Sequence, residues 1–404
     1  MDIPQGYKQT ELGIIPEDWE IVNLGSVAKI NGRIGFRGYT TADLVGVGQG
    51  AYTIGGKHIT NMVLDLHDAE YISWQKYYES PEIMVRKGDI VFAQRGTLGK
   101  SAFIVNDIGP ATINPSLVLI NKIKCDNEYL SYWLQCDKIV EYICSINSQT
   151  SIPMITQNQI EHIPVVLSRI KAEQQAIAEA LGDIDGLIAT LDKKIAKKRL
   201  IKQGAMSQLL TDKKRLPGFS DPWVEKKLGE IGYTYSGLTG KSKDDFGQGN
   251  AKYITFLNVL ANPILKENLF GSITIRENEQ QNKVQFGDLF FNTSSETPED
   301  VGTCAVLLSY HEELYLNSFC FGYRLTDDNV LGLYLAYYFR SRLGRQLMTS
   351  LAQGATRYNL SKELFNASRI ILPETKDEQI AIATILTDMD KEIDDLEAQR
   401  DQYR

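Results

Sequence analysis

Cysteine and histidine are scarce in this chain, with five and four copies among 404 residues. The cysteines (Cys125, Cys136, Cys144, Cys304, Cys320) make an odd set without a C-x-x-C pair. That argues against a disulfide framework or a zinc site, and it suits reduced thiols in a cytoplasm. His58, His67, His162 and His311 are scattered, with no i, i+4 pair and no acidic partner at metal spacing, so structural or surface roles are the default. No apolar run approaches about 18 residues, so no membrane span is expected. The segment Met1-Asp2-Ile3-Pro4-Gln5-Gly6 lacks the basic-then-apolar layout of a signal peptide. A cytoplasmic location is the expectation. The composition, 43% hydrophobic and 23% charged, is that of a globular protein long enough for two or three domains. Basic excess is also missing: the net charge of −8 argues against a protein that coats DNA unspecifically.

Catalytic motifs are absent as well. Gly96-Thr97-Leu98-Gly99-Lys100-Ser101 and Gly237-Leu238-Thr239-Gly240-Lys241-Ser242 end like phosphate loops, but Gln94 and Tyr235 stand where a Walker loop needs its first glycine. Asn114-Pro115-Ser116-Leu117 only begins like the Asn-Pro-Pro-aromatic motif of amino-methyltransferases. Asp221 with Glu225-Lys226-Lys227 mimics a nuclease Asp…Glu-x-Lys at too tight a spacing, and reads as a surface charge cluster. No catalytic residue, metal ligand or cofactor site is expected in this chain.

What the chain has is a repeat. Leu12, Gly13, Trp19, Leu24 and Gly25 return as Leu216, Gly218, Trp223, Leu228 and Gly229, the tryptophans 204 residues apart. Tyr129-Leu130-Ser131-Tyr132 matches Tyr334-Leu335-Ala336-Tyr337, and Glu173-Gln174 matches Glu378-Gln379, both at an offset of 205. Between these anchors the halves diverge. A period this long means a duplicated module with a shared scaffold and a middle free to read a different ligand in each copy.

Each copy ends in a helix. The segment 172–211 carries Ile177, Leu181, Ile184, Ile188, Leu191 and Ile195 on a heptad seam. Its counterpart places Ile382, Leu386, Met389, Ile393 and Leu396 on the same seam, followed by Arg400. Residues 169–215 carry a net +5 and residues 374–404 a net −6, so the helices are matched to pair with each other, parallel or antiparallel. A 40-residue helix spans roughly 60 Å, which makes it a strut. Gly182, Gly186 and Gly204 each cost about 1 kcal/mol within it and suggest close contact with another chain. Turn residues from Leu216 to Pro222 open the second module. Strands are expected at 89–93, 101–105 and 117–120, and at 288–291, 304–308 and 319–325. One amphipathic helix per module is expected at 128–146 and 331–351.

Together these residues resemble the specificity subunit of Type I restriction–modification enzymes. The signatures are Gly13-Ile14-Ile15-Pro16-Glu17-Asp18-Trp19 with Leu24-Gly25, then Lys87-Gly88-Asp89-Ile90-Val91-Phe92-Ala93, and Glu173-Gln174. Most specific is Leu191-Asp192-Lys193-Lys194-Ile195 through Lys197-Lys198-Arg199, Ile201-Lys202-Gln203-Gly204 and Leu209-Leu210-Thr211 to Leu216-Pro217-Gly218-Phe219. The resemblance implies an α+β protein: two similar mixed α/β target-recognition domains joined by two long helices pairing as an antiparallel coiled coil, with a pseudo-twofold internal repeat. The boundaries are expected at 1–168, 169–213, 214–373 and 374–404. It also implies a non-catalytic subunit that reads a split, asymmetric site on double-stranded DNA, one half per repeat. Two modification (methyltransferase) subunits that use S-adenosylmethionine would dock on it. Restriction subunits would supply chemistry dependent on ATP and magnesium. One departure from the pattern is that the second helix stops at Arg404, where the repeat next calls for a match to Leu200–Gly204. The competing reading is a coiled-coil scaffold that joins two protein partners without binding DNA.

If the divergent middles read DNA, polar and basic side chains on their loops are the candidates. In the first module these are Arg33, Arg37, Lys57, Arg95, Thr97, Lys100 and Gln149-Thr150-Ser151. In the second they are Thr239, Lys241, Lys243, Asn292, Thr293 and Arg357-Tyr358-Asn359. Ile184, Ile188 and Leu191 are expected against Met389, Ile393 and Leu396. Ala180, Leu187, Leu200 and Ile385, off the seam, are assigned to docking of modification subunits.

Overall fold

The computed structural model describes residues 3–60, 62–147 and 153–404. The chain forms two compact units, Met1–Gly186 and Leu187–Arg404. The division falls inside the first long helix, Lys171–Leu209. The second unit therefore holds the later part of that helix, the second module and the second long helix, Lys376–Gln402.

Each unit is built on the same four-stranded antiparallel sheet. In the first unit the strand order is Ser101–Phe103, Ile90–Ala93, Leu117–Asn121, Lys29–Gly32. In the second it is Cys304–Val306, Leu289–Asn292, Cys320–Leu325, Gly232–Ser236. Register repeats too: Ile90 stands opposite Ile120, which stands opposite Ile30, as Leu289 stands opposite Tyr323, which stands opposite Thr234. Ile90–Ala93 and Leu289–Asn292 are buried at every position, so Ile90–Ala93 and the first three residues of Leu289–Asn292 read as continuous apolar stretches and not as alternating ones. A second sheet in each unit pairs Gly50–Ile54 in parallel with Ala111–Ile113, and Lys252–Ile254 in parallel with Leu314–Leu316.

The ends of each module meet in a two-stranded ladder, Glu20–Asn23 with Pro164–Leu167 and Trp223–Lys227 with Arg369–Pro373. Immediately afterwards the long helix begins, and the repeated Glu-Gln pair explains its start. The Gln174 amide donates to Ser168 O at 2.7 Å and its carbonyl accepts from Asp126 N at 2.7 Å. Gln379 does the same with Pro373 O at 3.0 Å and Leu331 N at 2.8 Å. One buried glutamine thus ties helix, strand and the preceding helix in each copy.

The single helices expected at 128–146 and 331–351 are each broken in two. Asn127–Trp133 is followed by Asp137–Ser145, and Gly332–Arg340 by Arg342–Leu351. In the second case Ser341 starts a new helix by accepting from Gly344 N, and a Cβ on Gly344 would collide with the Tyr338 carbonyl at 2.2 Å. Gly182 lies near Tyr132, whereas a Cβ on Gly186 or Gly204 would meet open space.

The heptad seam is divided among several contacts. Ile177 packs on the core of the first unit, while Leu181 and Ile184 are exposed and Ile188 is half-buried. Leu191 and Ile195 form a buried cluster with Ile393 and Leu396. Ile382 and Leu386 belong to the core of the second module, with Met389 packed against it. The expected pairing through Ile184 and Met389 is thus replaced by a short cluster centred on Leu191, Ile195, Ile393 and Leu396. Ion pairs flank it: Lys198 with Glu392 at 2.6 Å, Arg199 with Glu397 at 2.6 Å, Arg400 with Asp192 at 3.2 Å, and Lys202 with Asp390. As numbers rise on one helix they fall on the other, so this packing is antiparallel. The first helix continues into the second module, where Leu209 and Leu210 join the core.

Candidate nucleic-acid interface

The loops at one end of each main sheet carry most of the sequence-derived candidates, and the structure separates them into internal ties and exposed groups. Arg33 is internal. Its guanidinium donates to Ile113 O at 3.1 Å and Thr112 Oγ1 at 2.9 Å and lies 5.1 Å from the Tyr39 ring centroid, and burial pulls its pKa below the usual value. Lys241 is internal as well, donating to Thr274 O at 2.6 Å and paired with Glu279. Asn292 is fully buried and staples the following loop, donating to Asp300 O at 3.0 Å and accepting from Thr303 N at 2.6 Å. These three are corrections to the loop assignment. Chain position placed them near loops, but partners on other segments, the strand Ala111–Ile113 for Arg33 and loop residues for Lys241 and Asn292, consume their polar groups.

Arg37 faces Glu82 at 3.4 Å and Lys57 faces Asp68 at 3.4 Å, while Lys100 reaches Gly56 O at 3.5 Å. Arg95 and Thr97 are exposed on the turn before Ser101–Phe103, where Arg95 bridges Met154 in an antiparallel contact. Gln149, Thr150 and Ser151 lie outside the described residues. In the second module Thr239 and Lys243 are exposed. A three-stranded patch of Ser294–Ser295, Tyr358–Leu360 and Ala352–Gln353 presents Arg357 and Asn359 to solvent, with Tyr358 half-buried. Thr293 adjoins it: its hydroxyl donates to Phe319 O at 2.7 Å, and its carbonyl accepts from Leu360 N at 2.9 Å.

The structure adds residues that the sequence reading passed over. Phe319, exposed at 58%, sits beside Thr293. Lys362 donates to Ser236 Oγ at 2.9 Å, and its ammonium lies 5.9 Å from the Phe321 ring centroid, where burial lowers its pKa. Neither is signalled by a motif; only the strand pairing brings them together.

Of the residues assigned to partner docking, Ala180, Leu187 and Leu200 are exposed, whereas Ile385 packs against the core of the second module. Its side chain is spent on the fold, which corrects that assignment. Among the described residues no group of three or more His, Cys, Asp or Glu side chains converges as a metal site, and no helix is long and apolar enough to cross a membrane. The Gly96–Ser101 segment leads into a strand and Gly237–Ser242 into one short turn of 3-10 helix, so neither has the helix that a phosphate loop opens.

A scaffold that repeats its sheet, register and helix pins while changing the side chains on its loops is a duplicated recognition module. The family model of the Type I restriction modification DNA specificity domain matches it twice, at residues 16–198 and 220–402, and the chain belongs to this family of specificity subunits. An MjaX relative from Methanocaldococcus jannaschii is 27% identical over 300 residues, covering 65% of this chain and 66% of its own length. The type I restriction enzyme MjaVIII specificity subunit of the same organism is 29% identical over 225 residues, covering 52% of this chain. The matched part of the chain spans 66% and 50% of the length of these two relatives. The crystal structure of a Type I restriction–modification S subunit from M. genitalium aligns over 100% of this chain and 95% of that one, with a TM-score of 0.57 and 14% identity. A chain from a structure of type I R-M complex assembly aligns over 96% and 94%, with a TM-score of 0.59 and 17% identity. These two likenesses concern the fold.

Proposed function

We propose that this chain is the non-catalytic, sequence-reading subunit of a Type I restriction–modification complex, with each module reading one half of a split, asymmetric site on double-stranded DNA. The helices set the gap between the halves and offer surface, including Ala180, Leu187 and Leu200, to two modification subunits. Those subunits carry S-adenosylmethionine and the methyl-transfer chemistry, and restriction subunits carry the reactions that need ATP and magnesium.

One observation carries the reading most of the way: two modules share strand order, register and glutamine pins, yet differ at the exposed loop positions. Arg95 and Thr97 in one, and Arg357 and Asn359 in the other, offer donors of the kinds that read base edges and phosphates. A net charge of −8 leaves little counterion release to drive binding by this chain alone, so tight binding is assigned to the complex that closes around the duplex.

Sequencing the methylated bases in a host that carries this chain and its modification subunit tests the proposal. It predicts two short specific blocks separated by a fixed unspecific gap. A continuous motif, or no motif, contradicts it. Mobility shifts that show no salt-dependent DNA binding when modification subunit is present would favour a scaffold that joins proteins alone.

A further inference from the structure

The two modules carry a turn built on the same backbone bonds whose tip side chain differs: Ser116 is half-buried, its hydroxyl donating to Asn114 Oδ1 at 2.6 Å, whereas Phe319 is exposed. In the first, Asn114 Oδ1 accepts from Ser116 N at 2.9 Å, and Ser116 O accepts from Gln94 N at 3.0 Å. In the second, Asn317 Oδ1 accepts from Phe319 N at 2.9 Å, and Phe319 O accepts from Thr293 N at 2.9 Å. The turn leads straight into the central strand, Leu117–Asn121 or Cys320–Leu325. Asn114-Pro115-Ser116-Leu117 thus finds its use: the asparagine locks a turn and takes no part in methyl transfer.

A second variable position stands over the neighbouring strand. Gln157, 205 residues before Lys362, reaches Gly32: a Cβ there would lie 2.4 Å from its Nε2. Lys362 reaches Ser236 Oγ at 2.9 Å. Gly32 pairs with Val118 and Ser236 with Phe321, each two residues beyond the turn tip. Tip and overhanging side chain are therefore neighbours in both modules. Gln157 is exposed, and Lys362 forms no ion pair among the described residues.

We infer that these paired positions are the base-reading address of each module, Ser116 with Gln157 in the first and Phe319 with Lys362 in the second. The inference rests on the DNA-reading function proposed above and names residues within it. The backbone bonds hold each tip before DNA arrives, so little conformational freedom is lost on contact. A phenyl ring suits the methyl group of thymine, and a lysine suits O6 and N7 of guanine. A glutamine suits N6 and N7 of adenine, and the Ser116 hydroxyl, whose proton goes to Asn114 Oδ1, is left to accept from a base-edge donor. The second half-site should then contain a thymine and a guanine read by Phe319 and Lys362, and the first an adenine read by Gln157.

The test uses the full chain assembled with its modification subunits on a library of duplexes with randomised half-sites, methylation being read by sequencing. Phe319→Ser and Lys362→Gln should each change base preference at one position of one half-site by about fivefold or more, leaving the other half untouched. Ser116→Phe and Gln157→Lys should do the same in the opposite half, with Gln157→Lys moving preference from adenine to guanine. Phe319→Leu and Lys362→Arg should keep the original preferences, and they stand in where a larger change prevents assembly. Unchanged preferences in both halves, in variants that assemble and methylate, overturn the inference while leaving split-site reading intact. A wild-type complex that methylates no split site removes both.

Discussion

The Tyr337 hydroxyl donates to the Asp390 carboxylate at 2.8 Å. In the other copy, 205 residues earlier, Tyr132 makes the same bond to Asp185 at 2.7 Å. This is why the last tyrosine of Tyr-Leu-x-Tyr recurs: it fixes the long helix against its own module. In the second copy Asp390 also receives Lys202 from the first helix, whose ammonium lies 5.3 Å from the Tyr337 ring centroid. Three groups then act as one.

Tyr337→Phe should accordingly cost about 1.5–3 kcal/mol of stability, as for a hydrogen bond to a charged acceptor. Lys202→Met should cost less in the Phe variant than in the native chain, with a coupling of about 0.5 kcal/mol or more in a double-mutant cycle followed by denaturant unfolding. Strict additivity would show that the helix contact and the tyrosine bond are independent.

The half-buried carboxylate Asp89 and the buried Asp288 occupy the same place, just before Ile90–Ala93 and Leu289–Asn292, but live differently. Asp288 holds Arg324 through two bonds of 2.8 and 2.7 Å and accepts from Tyr235 at 2.6 Å. Asp89 accepts from Arg86 N at 2.8 Å without such a guanidinium, and burial raises its pKa. Asp288→Asn should cost about 3–5 kcal/mol, because it leaves Arg324 without its counter-charge. The raised pKa of Asp89 favours the protonated form in the fold, so its contribution is full below the unfolded carboxyl's pKa and is lost as pH rises through the folded one. Asp89→Asn should remove that acid-side increment from the unfolding curve of stability against pH. An unchanged slope would contradict the assignment.

Much of the scaffold was legible because it repeats. The Glu-Gln and Tyr-Leu-x-Tyr pairs mark contacts made twice, and the all-apolar runs at 90–93 and 289–291 mark inner strands of the sheets. The site was less legible. Arg33, Lys241 and Asn292 look like loop donors in sequence, yet they are consumed by Thr112, Glu279 and Asp300, residues on other segments. Phe319 and Lys362 gain meaning only from pairing of strands distant in sequence. The seam misled for a related reason: its heptads run through three environments, and a period reports an apolar face without saying what covers it.

Arg215 connects the first helix to the second module through a two-bond contact with Glu378, at 2.7 and 2.8 Å, and Glu378 is buried. Arg215→Met leaves that carboxylate without its partner and should destabilise the second unit by about 3 kcal/mol. Thermal unfolding of the full chain would show it. A loss under about 0.5 kcal/mol, the level of an ordinary surface pair, would deny the contact a structural role.

Arg95 and Arg357 are exposed in different modules. Replacing each by alanine should weaken methylation through one half-site only, as expected from base or phosphate contacts worth about 1–3 kcal/mol. Arg33→Ala should instead lower the stability of the first unit, since its donors serve the fold. Equal effects of Arg95→Ala on both half-sites would contradict a division of labour between modules.

The central claim is that two modules read two half-sites across a gap set by the helices. Deleting four residues, 181–184, from the first helix and sequencing the methylated sites of the resulting complex tests it most directly. A helix shorter by about 6 Å should bring the half-sites closer by about two base pairs. Both half-site sequences should be retained. An unchanged gap with undiminished methylation would contradict the account.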